Sequence, residues 1–216
     1  WQPVGKDLEH YKSECHHGTA YTKMKAAYAG ISSEVCYYVP LNQSYEVWNL
    51  SVTNDSEKER KLTVTGYAEF TNNSNYEQDQ VNLQYSQFIT RTVFCENRVR
   101  QMIHANLDMI EKGKEIDHKT VVSRFFGLAG TAVTSWCGDK EEFLGRYHGY
   151  GNPVGVENGD CGNCLNYNGN ACGALETKIT LAPGESKELA FVLGMKNDAE
   201  TEAVMNSYAD VHAQSE

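Results

Sequence analysis

The chain has 216 residues, of which 40% are hydrophobic and 22% charged, a composition typical of a globular protein large enough to bury a core. No run of about eighteen apolar residues occurs, so a membrane-spanning helix is not predicted. The globular composition argues against a mostly disordered chain. With 29 acidic and 19 basic residues the formal net charge is −10, which repels a phosphate backbone and argues against nucleic-acid binding.

Alternating apolar and polar residues, interrupted by polar turns, extend from about residue 19 to 96 and are typical of a half-buried antiparallel sheet. One strand is predicted over 45–53 and a second over 60–71. Because residues 54–59 are turn-forming, these two strands are predicted to form a hairpin. The faces predicted to be shared carry Trp48, Leu50 and Val52 in the first strand and Leu62, Val64, Ala68 and Phe70 in the second.

The middle of the chain contains two polar segments that do not read as strands. Residues 72–84 are almost all Asn, Gln, Tyr, Asp and Glu and are predicted to form a loop rich in hydrogen-bonding groups. Strand-like sequence resumes at 85–94 and at 98–107. The Gly- and Asn-rich segment 145–173 is predicted to be long and irregular, as loops with a functional or interfacial role often are.

In the last third of the chain, apolar residues recur first at the spacing of a β-strand and then at the spacing of a helix. Alternation over 177–181 and 189–193, joined by a turn at 182–185, predicts another hairpin. A helix is predicted to begin near Ala199 with Asp198 as its N-cap, and to open a linker into another domain. Its apolar stripe consists of Val204, Tyr208 and Val211.

Seven scattered cysteines do not match the dense, even frameworks of small secreted domains, so they are interpreted as free thiols in a reducing cytoplasm. Cys161 and Cys164 have the C-x-x-C spacing at which two thiolates bind one zinc ion. A tetrahedral site needs a second pair, and no matching C-x-x-C or H-x-x-x-H occurs. A zinc-dependent module would therefore require the fold to bring in Cys172 or Cys15-His16-His17, and no metal site is predicted.

Other signatures of catalysis are absent from the sequence. It contains no G-x-S-x-G elbow and neither of the glycine-rich phosphate loops. What remains is a high content of Tyr, Trp, Asn, Gln and Asp in long loops. These side chains recognise sugars, because a pyranose stacks its C–H faces on aromatic rings while its hydroxyls need donors and acceptors. The same aromatic residues also serve as core or edge packing in all-β proteins.

Seven short stretches carry a more specific signal because they occur in a fixed order along residues 1 to about 195. They are Glu14–Thr22, Tyr38–Leu41, Glu46–Asn54, Tyr67–Phe70, Phe143–Tyr147, Asn152-Pro153 and Asn170–Leu175. Together they resemble the inverting disaccharide phosphorylases of the cellobiose and cellodextrin phosphorylase family, glycoside hydrolase family 94. Two family residues differ in this sequence, where His16 replaces Arg and Ala20 replaces Gly.

The resemblance implies a four-part protein with an N-terminal β-sandwich, a helical linker, an (α/α)₆ barrel and a small C-terminal β domain. This chain is similar to most of the first part, an all-β antiparallel β-sandwich of the supersandwich type with long polar loops, expected over residues 1–197. Residues 198–216 are expected to begin the linker. The first strands of the sandwich are expected to precede Trp1.

The reaction implied by the resemblance is reversible phosphorolysis of a β-1,4-glucoside, cellobiose or a cello-oligosaccharide, to α-D-glucose 1-phosphate and a shortened sugar. A protonated carboxylic acid donates to the leaving oxygen while phosphate attacks the anomeric carbon from the opposite face. Inorganic phosphate is the co-substrate, and no cofactor or metal is expected. Since the family's acid and phosphate-binding groups belong to the barrel, the catalytic residues lie outside this chain, which alone is predicted to be inactive.

The resemblance also implies a cytoplasmic homodimer in which a loop of one N-terminal domain borders the partner's active site at the acceptor sugar. The stretch Asn82-Leu83-Gln84-Tyr85 aligns with the family's Asn-aromatic-Gln-Arg. Asn82, Gln84 and Tyr85 are therefore the candidate substrate-binding residues. Tyr85 stands where Arg is usual, which makes a longer cellodextrin or another glucoside a fair acceptor. In the alternative interpretation, Gln84 and Tyr85 only complete the edge of the sandwich.

Two hypotheses follow from these observations. The first is a non-catalytic N-terminal domain of a cello-oligosaccharide phosphorylase, a glycosyltransferase of carbohydrate metabolism. The second is a freestanding carbohydrate-binding or structural β-sandwich module. A linker helix is expected to leave its apolar stripe over 199–213 exposed, whereas a complete module is expected to dock it.

Overall fold

The computed structural model of the chain describes residues 12–70, 87–88, 90–103 and 121–209. The strands in this part are β1 (Lys12–His17), β2 (Tyr21–Tyr28), β3 (Ile31–Tyr38), β4 (Tyr45–Asn54), β5 (Arg60–Glu69), β6 (Thr90–Cys95), β7 (Arg98–Ile103), β8 (Ser123–Ala129), β9 (Ser135–Asp139), β10 (Ala171–Leu181) and β11 (Ser186–Lys196). The helices are α1 (Lys140–Leu144), α2 (Val154–Asn158) and α3 (Asp198–Ser207). Among the described residues, none of the helices is both long and apolar enough to cross a membrane.

These strands form two antiparallel sheets that pack face to face. The larger has the order β1-β2-β3-β4-β11-β8-β7-β6, and the smaller has the order β5-β10-β9. The core between them joins Ala68 and Leu175 of the smaller sheet to Phe126, Leu128 and Phe191 of the larger. The prediction of an all-β antiparallel β-sandwich is confirmed.

Period-two alternation correctly identified the faces of β4 and β5 that pack between the two sheets. Trp48 points into the core, where its ring centroid lies 5.0 Å from that of Phe126. Ala68 belongs to the same cluster of buried side chains, whereas Tyr67 on the opposite face contacts α1 through Phe143. An alternating pattern specifies which side chains share a face, and here the two faces meet different layers.

Both predicted hairpins are wrong, because each of the two turns crosses from one sheet to the other. The strand β4 pairs with β3 and β11 in the larger sheet, whereas β5 pairs with β10 in the smaller. In the same way β10 lies in the smaller sheet and β11 in the larger. The turns at 55–59 and 182–185 therefore connect the two layers at one end of the sandwich.

A single asparagine ties these two crossings together. The Asn54 side chain is fully buried, and its Nδ2 donates to the carbonyls of Lys58 at 2.7 Å, Leu181 at 3.0 Å and Ala182 at 3.1 Å. Its backbone N–H donates to the Glu185 carbonyl at 3.0 Å. The carbonyls of both turns thus find their donors in one side chain, as buried backbone groups require.

The C-terminal helix differs from the prediction in its cap and in its packing. Its N-cap is Asn197 rather than Asp198, because Asn197 and Glu200 form a reciprocal capping box. Asp198 Oδ1 instead accepts from Arg98 at 3.0 Å and from Arg100 at 2.6 Å. The helix boundary moves by one residue, and the acidic side chain is used for a tertiary contact.

The apolar side of α3 docks on the outer face of the larger sheet, so the exposed stripe expected of a linker helix is not found. Met205 and Tyr208 are buried there against Val47, Phe125 and Val192. Val204 packs at the edge of the same cluster, and Val211 lies outside the described residues. This helix forms a third layer over the centre of the larger sheet.

The Gly- and Asn-rich segment, which was predicted to be irregular throughout, contains the short helix α2 and the start of β10. It packs with α1 on the outer face of the smaller sheet, through a cluster that includes Phe143, Cys161 and Ala174. The segment is therefore a packed layer in which Tyr147 and Tyr150 remain exposed.

Candidate functional site

The predicted substrate-binding residues Asn82, Gln84 and Tyr85 lie outside the described residues. The described residues on both sides of that segment lie at the same end of the smaller sheet. Glu69 ends β5 and is the register partner of Cys172 in β10. On the other side, Gln87 Nε2 donates to Asn170 Oδ1 at 2.9 Å, immediately before β10. The side chains around these two anchors form the candidate site.

Glu69 is the centre of this site. Its carboxylate accepts from the Tyr67 hydroxyl at 3.0 Å, from the Tyr150 hydroxyl at 2.5 Å and from Lys140 Nζ at 3.1 Å. The Lys140 ammonium also lies 5.2 Å from the centroid of the Tyr150 ring, within the range of a cation–π contact. Two distant parts of the sequence, with Tyr67 and Glu69 in one and Lys140 and Tyr150 in the other, therefore hold each other in a fixed arrangement.

These contacts determine the charge state of the carboxylate. Burial alone would raise the pKa of Glu69, but the hydrogen bonds from Tyr150, Lys140 and Tyr67 outweigh it and hold the pKa below the ordinary value. The hydrogen bond to Tyr150 and the ion pair with Glu69 raise the pKa of Lys140 against the effect of burial. Both groups are therefore charged at neutral pH, and Glu69 is unsuited to act as a general acid.

The position of Lys140 follows from local helix chemistry. Asp139 caps α1 by accepting from the Glu142 N–H at 3.1 Å, and its other oxygen accepts from Asn166 Nδ2 at 2.7 Å. Phe143 then stacks on the Tyr67 ring with centroids 4.9 Å apart. The cap and the stacked rings fix α1 on β5, which places Lys140, the first residue of the helix, beside Glu69.

A second set of polar contacts joins the Gln87 anchor to the same helix. Asn170 Nδ2 donates to Glu141 Oε1 at 2.6 Å, and the Asn170 carbonyl accepts from the Lys140 N–H at 3.0 Å. The end of the sandwich thus presents carboxylate, amide, hydroxyl and ammonium groups close together. Such a mixture of donors and acceptors suits the recognition of sugar hydroxyls.

Sequence reasoning did not bring Glu69, Lys140 and Tyr150 together. The available signal was the pair of stretches Tyr67–Phe70 and Phe143–Tyr147, which carry or adjoin these residues. Nothing in their spacing shows that the two stretches meet, because the contact depends on α1 packing against the outer face of β5.

The C-x-x-C motif is part of a cluster of four cysteines. Cys161 and Cys164 pack with Cys137 and Cys172 on the outer face of the smaller sheet. Burial raises the pKa of Cys161 to about 12, which disfavours the thiolate that zinc requires. Within the described ranges, no group of three or more His, Cys, Asp or Glu residues is arranged to hold a metal ion.

Comparison with known proteins gives a consistent result over the whole chain. Residues 1–211 match the family model described as the glycosyl hydrolase 94 supersandwich domain. The chain is 30% identical over 212 residues to N,N′-diacetylchitobiose phosphorylase from Vibrio proteolyticus, covering 98% of this chain and 25% of that protein. It is 29% identical over 203 residues to solabiose phosphorylase from Paenibacillus borealis, covering 93% and 24%.

Among solved structures, a polysaccharide lyase aligns with 82% of this chain and 21% of its own, with a TM-score of 0.45 and 17% identity. The chain spans about a quarter of the length of the two phosphorylases that it matches.

Proposed function

The chain belongs to the supersandwich domains of glycoside hydrolase family 94, and from this membership we propose that it is the N-terminal, non-catalytic domain of an inverting β-glycoside phosphorylase. The observation that carries the proposal is a match of nearly the whole chain to relatives that are phosphorylases. The chain covers about a quarter of the length of each of these relatives. The proposed parent transfers a glycosyl group to inorganic phosphate, and its catalytic acid and phosphate-binding residues lie in sequence beyond this chain.

In the proposed reaction a carboxylic acid protonates the leaving oxygen while phosphate attacks the anomeric carbon from the opposite face. The bond from the anomeric carbon to the leaving sugar breaks, and a bond to phosphate oxygen forms. For a cello-oligosaccharide the products are α-D-glucose 1-phosphate and the sugar shortened by one glucose. Phosphate is the co-substrate, and no further cofactor is part of the proposal.

The proposed task of this domain is to shape the acceptor side of the active site in a cytoplasmic homodimer. In the proposal Asn82, Gln84 and Tyr85 contact the acceptor sugar. The anchors at Glu69 and Gln87 support it, because they hold both sides of this polar segment against α1. Residues 1–197 are proposed to form the sandwich and 198–216 to begin the connection to the barrel.

The proposed substrate is a β-1,4-glucoside, cellobiose or a cello-oligosaccharide. The relatives are named for other disaccharides, so the decisive assay compares several sugars. The full-length protein is incubated with phosphate and cellobiose, cellotriose, N,N′-diacetylchitobiose or solabiose, and the sugar 1-phosphate released is measured. We expect release from cellobiose or cellotriose and none from the 216-residue chain alone.

Failure to release a sugar 1-phosphate from any of the four sugars would overturn the phosphorylase proposal. Release from N,N′-diacetylchitobiose or solabiose alone would retain the phosphorylase and reject the cello-oligosaccharide substrate. Turnover by the 216-residue chain would show that its residues include catalytic groups.

A freestanding carbohydrate-binding or structural module is the second candidate. The docking of α3 on the larger sheet favours it, since a complete module is expected to bury that helix. Phosphate-dependent release of sugar 1-phosphate by a longer protein that carries this chain would exclude it.

A further inference from the structure

A cleft of about 370 Å³ opens beside the free edge of the smaller sheet. In the described part of the chain β5 is an edge strand, whereas the larger sheet continues beyond it through β4 into β3. The overhanging face of the larger sheet forms one wall of the cleft. The segment around α2 forms the other wall, and the edge of β5 forms the floor. The volume lies in the range of small-molecule sites in proteins.

Aromatic rings stand on both walls of this cleft. Tyr37 and Trp48 come from the larger sheet, with ring centroids 5.5 Å apart in an edge-to-face arrangement. Tyr67 and Tyr150 face them from the opposite side, with centroids 6.3 Å apart. Tyr150 is 54% exposed.

The side chains that line the cleft are uncharged, although the chain as a whole carries a net charge of −10 and the Glu69–Lys140 pair adjoins Tyr67 and Tyr150. None of the described residues that line it has a formal charge. Its polar groups are the hydroxyls of Thr63, Thr65 and the tyrosines, together with backbone groups at the free edge of β5. The lining also includes Val35, Leu50, Gly66, Phe143, Gly151, Pro153, Val156 and Phe191.

A ligand for these surroundings must be neutral, have flat apolar faces and carry hydroxyl groups on its rim. A charged ligand would lose hydration without gaining an ionic partner among the lining side chains. A purely apolar ligand would leave the threonine hydroxyls and the β5 edge without hydrogen bonds. A sugar ring meets both requirements, because its C–H faces stack on aromatic rings while its hydroxyls bind polar groups.

We propose that this cleft binds a neutral oligosaccharide between the Tyr37–Trp48 wall and the Tyr67–Tyr150 wall. The inference goes beyond the proposed function, since it needs residues of this chain only and no catalytic step. It assigns Tyr150 two tasks, because its hydroxyl holds Glu69 while its ring faces the cleft.

The test is a calorimetric titration of the folded 216-residue chain with cellotetraose and with N,N′-diacetylchitobiose, without phosphate. We expect saturable binding of at least one sugar. Tyr150→Ala is expected to weaken it about three- to tenfold through loss of a stacked ring, whereas Tyr150→Phe keeps the ring and stays within about twofold. Tyr167→Ala removes a tyrosine of similar exposure outside the cleft and is the matched control.

A second variant keeps the proposal testable if Tyr150→Ala fails to fold. Thr65→Trp adds bulk at the cleft floor in an edge strand that favours aromatic residues, and it is expected to abolish binding. Absence of saturable binding to both sugars, or equal affinity in Thr65→Trp and the unchanged chain, would overturn the proposal. Equal losses in Tyr150→Phe and Tyr150→Ala would also contradict it, because they would assign the effect to the hydroxyl. Since no phosphate is present, these outcomes do not depend on the phosphorolysis assay.

Discussion

Individual polar residues hold together parts of this chain that are far apart in sequence. Asn54 joins two turns that are more than a hundred positions apart, and Glu69 joins β5 to α1 and Tyr150. Each contact is specific because one side chain satisfies several partners at once. Loss of such a side chain leaves its partners without a hydrogen bond, which costs more than the net value of the bonds themselves.

Replacement of Asn54 is expected to be among the more destabilising polar substitutions in the sandwich. Asn54→Ala and Asn54→Asp both remove the amide donors, and each is expected to lower the free energy of unfolding by about 2–4 kcal/mol. Urea denaturation measures the change. The exposed Asn158→Ala should stay within about 0.5 kcal/mol. An Asn54→Asp variant with an unchanged free energy of unfolding would show that the amide donors of Asn54 are dispensable.

Glu69 is expected to make stability depend on pH in the acidic range. Its folded-state pKa is depressed below 4.5, so its ionised form contributes stability that is present above the unfolded pKa and is lost as pH falls through the folded pKa. Compared with Glu69→Gln, the unchanged chain should be more stable at pH 7 by about 0.5 kcal/mol, since the partly exposed group is screened. Urea titrations at several pH values should show the difference shrinking as pH falls below the ordinary pKa of a glutamate and vanishing below the depressed folded-state pKa of Glu69. A difference independent of pH would contradict this account.

The helix α3 is attached to the sandwich by two ion pairs and one apolar contact. The guanidinium groups of Arg98 and Arg100 are nearly buried, with 3% of each side chain exposed, and both donate to Asp198. Met205 and Tyr208 supply the apolar contact about two to three turns later. The ion pairs of Asp198 fix the start of the helix, and Met205 and Tyr208 cover the sheet.

Asp198→Asn is expected to lower the free energy of unfolding by about 2–4 kcal/mol, because the buried guanidinium of Arg100 loses the carboxylate it faces and that of Arg98 keeps only Glu96. Glu202→Gln, a change of the same kind at an exposed position of the same helix, should have an effect of less than about 0.5 kcal/mol. Chemical denaturation gives the stability, and hydrogen exchange of the α3 amides shows whether the helix detaches. Equal effects of the two substitutions would argue against a specific anchor.

In the whole molecule, the described residues on both sides of the polar segment that carries Gln84 and Tyr85 lie at one end of the sandwich. The anchors on each side of the segment meet at α1 and the start of β10. Under the proposed function this end faces the acceptor sugar. Residues that contact only the acceptor should affect its binding more than that of glucose 1-phosphate.

In the full-length protein, Tyr85→Ala is expected to raise the KM for the acceptor sugar about tenfold in the synthetic direction, with a smaller effect on the KM for glucose 1-phosphate. The reason is the loss of one aromatic contact to the acceptor. Initial rates at varied acceptor and varied donor concentrations separate the two constants. Tyr147→Ala removes a fully exposed tyrosine and serves as the control. Unchanged acceptor kinetics would remove Tyr85 from the proposed site.

Residue patterns alone were enough to predict the fold class, the family and the strand faces that pack between the two sheets. Trp48 and Ala68 point into the core as their alternation requires, because a residue's face in a strand depends only on its parity. The collinear stretches indicated the glycoside hydrolase 94 family, and the match over residues 1–211 confirms it. These features depend on the order of residues within each segment, so the amino-acid sequence is enough to show them.

The pairing of the strands and the side chains that meet at the site follow from the packing of the layers and could not be predicted from the sequence. Alternation around residues 54–59 and 182–185 is the same whether a turn closes a hairpin or crosses between sheets, and here Asn54 fixes the crossing. The meeting of Glu69 with Lys140, and the cleft beside β5, likewise depend on how separate layers pack. Such contacts are chosen by the shape and hydrogen bonding of the assembled layers, which local sequence patterns do not encode.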